Sequence, residues 1–354
     1  MSAPVIEQLD TRLITLPLER PWGPDVTEIH VVAVDVRDSD GGVGHGFSWT
    51  PTIGAHAVEQ LLARDIAAFA EGRPADPAIW PEAWAHLHEA GSGGVTTIAL
   101  AGLDLALWDL RARRSGRSVT DAIGRRRDAL PAYGSGVNLH YPLADLVAQT
   151  ERWVRAGFRA VKVKVGSPDI ARDVERIRAV REALGPNRVL MIDANQRWDL
   201  ERATEAMERL AAFDLAWIEE PLRADDIAGH AELRRRTGVP IAFGENRHTR
   251  YQFRDAIDAG AVDVIQPNVV RVGGITPFLE IADLARERGV QLAPHLLPEL
   301  SAQVAFALPE ETWIEDVESA GFAQLGALEH PTGLEIRDGW ATGGPALGLG
   351  MRFR

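Results

Sequence analysis

The sequence predicts a (β/α) barrel preceded by a smaller α+β unit, and three observations carry that prediction. From about Leu130 onward, short runs of β-branched residues alternate with amphipathic helical stretches. A polar residue closes each run, at steps of 29, 26, 26, 23, 27 and 20 residues from Lys164 to Glu315. That is close to one βα unit if about 250 residues make eight. Before this rhythm begins, the pattern is a strand hairpin followed by helices.

The elements follow in order. Val5 to Leu16 and Ile29 to Val36 read as strands, and the second runs into the turn Ser39-Asp40-Gly41-Gly42. Gly44 to Trp49 is the return strand. Helical patterns cover about Ala55–Phe69 and Thr96–Arg114. In the repeating part, Val161–Val165 precedes a helix near Ile170–Leu184, and Val189–Ile192 precedes one near Leu200–Phe213. Leu215–Ile218, Ile241–Phe243, Val262–Ile265 and Val290–Ala293 continue the series of strands. So many units in register favour a closed barrel over an open parallel sheet. The last segment is glycine-rich and lacks the rhythm. The expected division is therefore 1–128, 129–320 and 321–354, with the tail packing back on the first unit.

Composition narrows the function classes. Lys+Arg number 38 against 51 Asp+Glu, a net charge of −13, which argues against a nucleic-acid binder with its basic face. No run approaches the roughly 18 uncharged apolar residues of a membrane span; the most apolar stretch, Thr96 to Leu107, contains Asp104. The start MSAPVIEQLD has neither a basic region nor an apolar core, so no signal peptide is expected. The absence of cysteine excludes disulfides, thiolate metal sites and cysteine nucleophiles, and it fits a cytoplasmic protein.

Barrel enzymes carry their reactive groups at the C-terminal ends of the strands. Lys162 and Lys164, then Asp193, Glu219, Glu245, Asn268, His295 and Glu315, hold those positions. Asp193, Glu219 and Glu245 come from three consecutive strands. Three converging carboxylates repel one another unless a positive charge lies between them, and all-oxygen ligation suits a hard cation, Mg²⁺ first and Mn²⁺ second. Any one of them alone would read as a solvated loop residue; the equal steps argue otherwise. Lys162 and Lys164 share one side of their strand. Adjacent ammonium groups depress each other's pKa, and a neighbouring cation adds to this, which would suit a general base. His295, seventh in the series, falls nearly across the barrel mouth from Lys164. Glu315 closes the eighth strand and is a candidate for binding a substrate oxygen.

These residues carry a resemblance. Lys162-x-Lys164, Asp193-Ala-Asn195, Trp217-Ile-Glu-Glu-Pro221, Gly244-Glu-Asn246, Ile265-Gln-Pro-Asn268 with Gly273-Gly-Ile-Thr276, and His295-Leu-Leu-Pro-Glu299 together resemble the enolase superfamily. Within it the chain is most similar to the mandelate racemase/muconate lactonizing enzyme family, in the racemase-like subgroup, over essentially its whole length. The resemblance implies a modified (β/α)8 TIM barrel, (β/α)7β, under an N-terminal α+β capping domain. It implies Mg²⁺ on Asp193, Glu219 and Glu245, Lys164 as base and His295 as the opposing acid or base. Lys162, Glu315, Asn195 and Asn268 would serve substrate binding. The expected partner is a small-molecule carboxylate, and the expected assembly a homo-oligomer in the cytoplasm.

One position departs from the subgroup pattern. Where the sixth strand normally supplies an Asp to orient and charge the His, this chain has Asn268. Asn can hold the ring by a hydrogen bond but supplies no charge to favour imidazolium; a carboxylate such as Glu299 could compensate. The expected activity is abstraction of a proton α to a carboxylate through an enediolate, stabilised in this superfamily by Mg²⁺. Loss of a β-hydroxyl would follow, making the chain an acid-sugar dehydratase. Reprotonation from the opposite face would instead make it a racemase or epimerase, and a barrel that binds metal and carboxylate without turnover is the non-enzymatic alternative. A two-metal hydrolase would want His ligands on barrel strands, whereas His86 and His88 lie in the capping region. Specificity is expected in the loops near Leu18–Glu28 and Gly46–Thr52. The remaining signals are read conservatively. Gly91–Gly94 could hold an anion but lacks the Lys-Ser/Thr ending of a P-loop and reads as a loop or cap, and Gly273-Gly274 reads as a tight turn. Trp22 and Trp49 could wall a substrate pocket, though packing is the commoner fate of a Trp and no role is assigned. Arg247 and Arg271 could bind a second substrate carboxylate, with surface salt bridges the commoner reading.

Overall fold

The computed structural model describes residues 3–23 and 26–354; Pro24 and Asp25, inside the first expected specificity loop, lie outside the described residues. The chain opens with an antiparallel sheet of β1 (Ile6–Pro17), β2 (Glu28–Asp38) and β3 (Val43–Thr50). The turn between β2 and β3 is tied by Asp38, whose Oδ1 accepts the amides of Asp40 and Gly42. Five helices follow: α1 (Ala55–Leu61), α2 (Ala67–Ala70), α3 (Trp80–His86), the long α4 (Val95–Arg114) and α5 (Val119–Ile123). The single helix expected over 55–69 is interrupted by a π-helical stretch at Leu62–Ile66. Val58, Leu62, Ile66 and Ala70 recur every four residues and all face the core. A regular α-helix would let that stripe drift around its axis, and the wider π turn takes up the drift. Helix α4 lies against β3 so closely that a Cβ at Gly46 would sit 2.3 Å from the Gly102 carbonyl.

Among the described residues, eight parallel strands build the second layer: β4 (Ala129–Ser135), β5 (Ala160–Lys164), β6 (Val189–Asp193), β7 (Leu215–Glu219), β8 (Ile241–Phe243), β9 (Val264–Ile265), β10 (Gln291–Leu292) and β11 (Ile314–Val317). Seven helices connect them: α6 (Leu143–Arg155), α7 (Ile170–Leu184), α8 (Leu200–Leu210), α9 (Ile227–Thr237), α10 (Arg250–Asp258), α11 (Ile275–Arg288) and α12 (Pro298–Ala305). This is the (β/α)7β barrel. Pairing runs in chain order from β4 to β10, while β11 returns to pair with β4. Helices α7, α8 and α9 start on Asp169, Asp199 and Asp226, each accepting an amide of the first turn, and α10 starts on a Thr249–Gln252 capping box. Inside the barrel one layer is apolar and buried. It contains Tyr133, Ala160, Met191, Trp217, Ala242, Val264 and Ala293, one residue from each of β4 to β9 and one just past β10. Because inward side chains recur every second residue, the next layer toward the C-terminal mouth contains Lys162, Asp193, Glu219 and Gln266.

The tail divides its contacts. Strands β12 (Leu334–Arg337) and β13 (Trp340–Gly343) form a hairpin, and β13 pairs antiparallel with the start of β4, on the barrel. The final residues reach the capping sheet, where Phe353 meets Phe47 at 5.1 Å between ring centroids and Arg12 donates to the Phe353 carbonyl.

Candidate active site

Strand register brings the charged residues together. Lys164 pairs with Asp193 and Asp193 with Glu219, so these three occupy one rung of the sheet. Lys162 lies two residues lower on the same face and is 1% exposed. Its ammonium donates to Glu219 Oε1 and Oε2 at 2.8 and 2.7 Å, meets Glu315 Oε1 at 2.8 Å, and lies 3.7 Å from Asp193. Lys164 donates to Asp193 Oδ2 at 2.5 Å. Its backbone amide donates to Asn138 Oδ1, which fixes the end of β5.

This packing reverses one expectation. Burial and Lys162 press the Lys164 pKa downward, but Asp193 outweighs them, with help from Glu219 and Glu245, and the pKa is raised. Lys162 follows the same balance and is raised well above its ordinary value, because burial loses to Glu219 and Glu315. On the acidic side, burial and the Asp193 charge raise Glu219 well above the carboxylate range despite Lys162. Burial also pushes Glu245 and Glu315 upward, and their cationic neighbours reverse it. Glu245 is held low chiefly by His295 and Lys164, and Glu315 is held at about 2 chiefly by Lys162 and His295. Glu220, behind the rung, is pushed up to about 8 by burial and Glu245.

His295 approaches from the far side. Its Nε2 lies 2.8 Å from Glu245 Oε2 and 3.8 Å from Glu315 Oε2. Its Nδ1 lies 3.3 Å from Asn268 Nδ2. The orientation of that amide is set by its own partners, since Asn268 Oδ1 accepts the backbone N–H groups of Val270 and Arg271. In the neutral ring, an amide donor facing Nδ1 and carboxylates facing Nε2 assign the proton to Nε2. Glu219, Glu245 and His295 present ligand atoms all within 4.8 Å of one another. A His whose Nε2 carries the proton offers no lone pair there, so the three carboxylates are the better oxygen donor set.

The groups open into a cavity of about 180 Å³ lined by Lys164, Asn195, Glu245, His295, Glu315 and Ser135 on its polar side. Trp22, Trp49 and Arg271 also line it, so the first two are more than packing residues. A larger cavity, about 480 Å³, opens at the opposite end of the barrel between α11 and the entry to β11 and contains none of these groups. The surroundings of five residues differ from their sequence readings. Lys162 and Asn268 are buried behind the cavity, occupied by Glu219, Glu315 and the His295 turn, so their positions suit support of the site and not substrate contact. Glu299 does not compensate for Asn268; its carboxylate accepts the Ala323 amide beside the 321–324 turn. Arg271 is half-buried at the cavity wall and donates to Asn246 Oδ1. Arg247 is 4% exposed and donates to the Ala224 carbonyl.

Ser135, Gln266 and Asn138 were not identified from the sequence. Ser135 donates to Glu315 Oε1 at 2.8 Å, and Gln266 donates to Glu219 Oε2 at 2.6 Å. Period-2 counting back from Asn268 reaches Gln266, and extending the strand-end series to the first barrel strand reaches Ser135. Asn138 sits in a loop and has no such signal.

Comparison with known proteins identifies the family. Residues 14–124 match the mandelate racemase / muconate lactonizing enzyme N-terminal domain, and residues 145–354 match the enolase C-terminal domain-like family. The chain is 35% identical to a 3,6-anhydro-alpha-L-galactonate cycloisomerase of Streptomyces coelicolor, over 98% of this chain and 96% of that one. It is 36% identical to an L-talarate/galactarate dehydratase of Salmonella typhimurium, over 97% and 88%. A crystal structure of L-talarate dehydratase from Polaromonas sp. JS666, complexed with Mg and L-glucarate, superposes with a TM-score of 0.88 at 36% identity, covering 99% and 96%. The chain belongs to the mandelate racemase / muconate lactonizing enzyme family of the enolase superfamily.

Proposed function

We propose that the chain is a Mg²⁺-dependent dehydratase of an acid sugar, in which Lys164 removes the α-proton and His295 delivers a proton to the departing β-hydroxyl. Asp193, Glu219 and Glu245 fit a hard divalent cation. They are oxygen donors at the ends of three adjacent strands, and burial and then the Asp193 charge raise Glu219 even with Lys162 in contact. Bound there, the ion would supply the positive charge that stabilises an enediolate. Lys164 must shed a proton before it acts as base. The carboxylate that holds that proton on, Asp193, is one that a cation would claim. Lys162, Ser135 and Gln266 hold Glu219 and Glu315 in place, and Asn195 stands at the cavity wall to meet a substrate oxygen.

The single observation that carries dehydration over racemisation is the Asn268 amide. It faces His295 Nδ1 and leaves the proton on Nε2, toward the cavity. A racemase needs a proton acceptor on both faces, and His295 in this tautomer presents an N–H and no lone pair at Nε2. Full transfer of that proton to the leaving hydroxyl requires a second proton on the ring, since loss of its only one would leave imidazolate. The relatives support the substrate class, since they are cycloisomerases and dehydratases of sugar acids. A small carboxylate is thus the partner. A cytoplasmic location, compatible with the absence of cysteine, and a homo-oligomeric assembly belong to the same proposal. No helix among the described residues is long and apolar enough to cross a membrane.

The test is incubation with Mg²⁺ and a panel of sugar acids, including galactarate and L-talarate, in deuterated solvent. Mass loss of water and α-deuterium in recovered substrate are both expected. Lys164→Ala should lower exchange by about 10²–10⁴-fold, the usual contribution of a positioned base. Absence of exchange from every acid would overturn the reading.

A further inference from the structure

We propose that Asp104, on capping helix α4, is a positioning residue for the His295 half of the active site, acting through the turn that joins β9 to α11. The inference rests on the division of labour proposed above between Lys164 and His295. Asp104 is 1% exposed and meets no cation among the described residues. Its two oxygens take two donors from one barrel residue: Thr276 N at 3.0 Å and Thr276 Oγ1 at 2.6 Å. Two further capping side chains grip the same turn, Trp108 donating to Thr276 Oγ1 at 3.0 Å and Trp80 donating to the Gly273 carbonyl at 2.8 Å. Gly274, at φ 113°, lets the backbone press onto the carboxylate; a Cβ there would lie 2.3 Å from Asp104 Oδ2.

The other end of the turn is the site itself. Gly274 N donates to the Val269 carbonyl and Val272 N to the Asn268 carbonyl, so the turn is closed on itself. Asn268 faces His295, and Arg271 holds Asn246, which in turn donates to both oxygens of Glu220. A displacement of Thr276 is therefore passed to Asn268 and Arg271 along a short hydrogen-bonded segment. Lys164, by contrast, is held by Asn138 and Asp193 and has no bond to this turn. A carboxyl group is needed because the two donors of Thr276 reach two different oxygens of Asp104, whereas an amide has one oxygen and puts a donor NH₂ in place of the other. Helix capping alone would accept Asn or Ser as readily, without burying a charge.

The experiment compares wild type with Asp104→Asn, Asp104→Ala, Thr276→Val and Thr276→Ser. The first readout is amide hydrogen–deuterium exchange of the protein without substrate. Faster exchange is expected across 268–276 in the first three variants, with residues 160–165 unchanged and Thr276→Ser like wild type. The second readout is the ratio of α-proton exchange to product, on the sugar acid that wild type turns over fastest. Product formation should fall by about 10-fold or more, inside the roughly 10²-fold that a 1 Å misplacement can produce, while exchange falls far less. A variant that merely unfolds a fraction of the protein lowers both equally and loosens both segments. Unchanged protection at 268–276, or an unchanged ratio in a wild type that does exchange, overturns the positioning role. If wild type exchanges no sugar acid, the proposed function fails, and the protection data alone decide whether Asp104 holds the turn.

Discussion

Replacing Lys162 with methionine removes the buried ammonium that Glu219, Glu315 and Asp193 share, while roughly keeping its volume. In the wild type those three carboxylates stand against two ammonium groups, Lys162 and Lys164; the variant leaves one. Breaking a buried ion pair by removing one partner typically destabilises by about 3–5 kcal/mol. Linkage gives a similar figure. Lys162 is the main cause holding Glu315 at about 2, below its reference of 4.5, a difference equivalent to about 3 kcal/mol at neutral pH. A carboxylate depressed in this way contributes stability above pH 4.5 and loses it as the pH falls through 2, so the deficit of Lys162→Met should shrink in acid. For a chain of 354 residues the loss corresponds to a drop in Tm of about 4–7 °C. The assay is thermal denaturation in chelator and in saturating Mg²⁺. Lys162 and a divalent cation draw on the same carboxylates, so Mg²⁺ should raise the Tm of the variant more than that of wild type. Saturation at about 100 times Kd is worth about 2.7 kcal/mol where only the native state binds. An equal Mg²⁺ response in both proteins, together with a loss below about 1 kcal/mol, would refute the shared-carboxylate argument.

Three further outcomes are expected. Asn268→Asp places an acceptor opposite His295 Nδ1 and should release Nε2 to act as a base; recovered substrate should then show inverted α-deuterium, read by chiral chromatography and mass spectrometry, and its absence would exclude control of the ring by residue 268. His295→Asn should keep measurable α-proton exchange while stopping product, whereas equal loss of both would remove the acid role. Asp104 is pushed up to about 7 by burial from its reference of 3.8; a raised carboxyl contributes stability below 3.8 that is lost as pH rises through 7. The wild type should therefore lose up to about 4 kcal/mol across that window relative to Asp104→Asn, and parallel stability curves at pH 5 and pH 8 would show that the carboxyl does not ionise there.

Much of this molecule is determined by the sequence alone because it depends on local periodicity. The barrel was legible in the recurring β-branched runs, and Asp193, Glu219 and Glu245 in the single polar residue that closes each, because strand length and helix length together set a nearly constant step. Register carries Asp193 and Glu219 to one rung, and Glu245 follows two residues past the end of β8. What the tertiary structure decided are pairings between residues far apart in the chain. Two lysines one residue apart suggested depressed pKa values. Their real neighbours are carboxylates from β6, β7 and β11, and in a buried site the nearest opposite charges outweigh both burial and a like charge on the same strand. Asn268 stood out in the sequence as a missing charge; only the backbone amides of Val270 and Arg271 fix which end of its amide faces His295, and hence where the ring proton sits. Glu299 was near His295 in sequence but turns to the 321–324 segment, since a helix starting at Pro298 points it away. Asp104 gave no signal beyond interrupting an apolar helix, because its partner Thr276 lies 172 residues away. Periodicity reports the face on which a side chain lies; the packing of two units decides what meets it there.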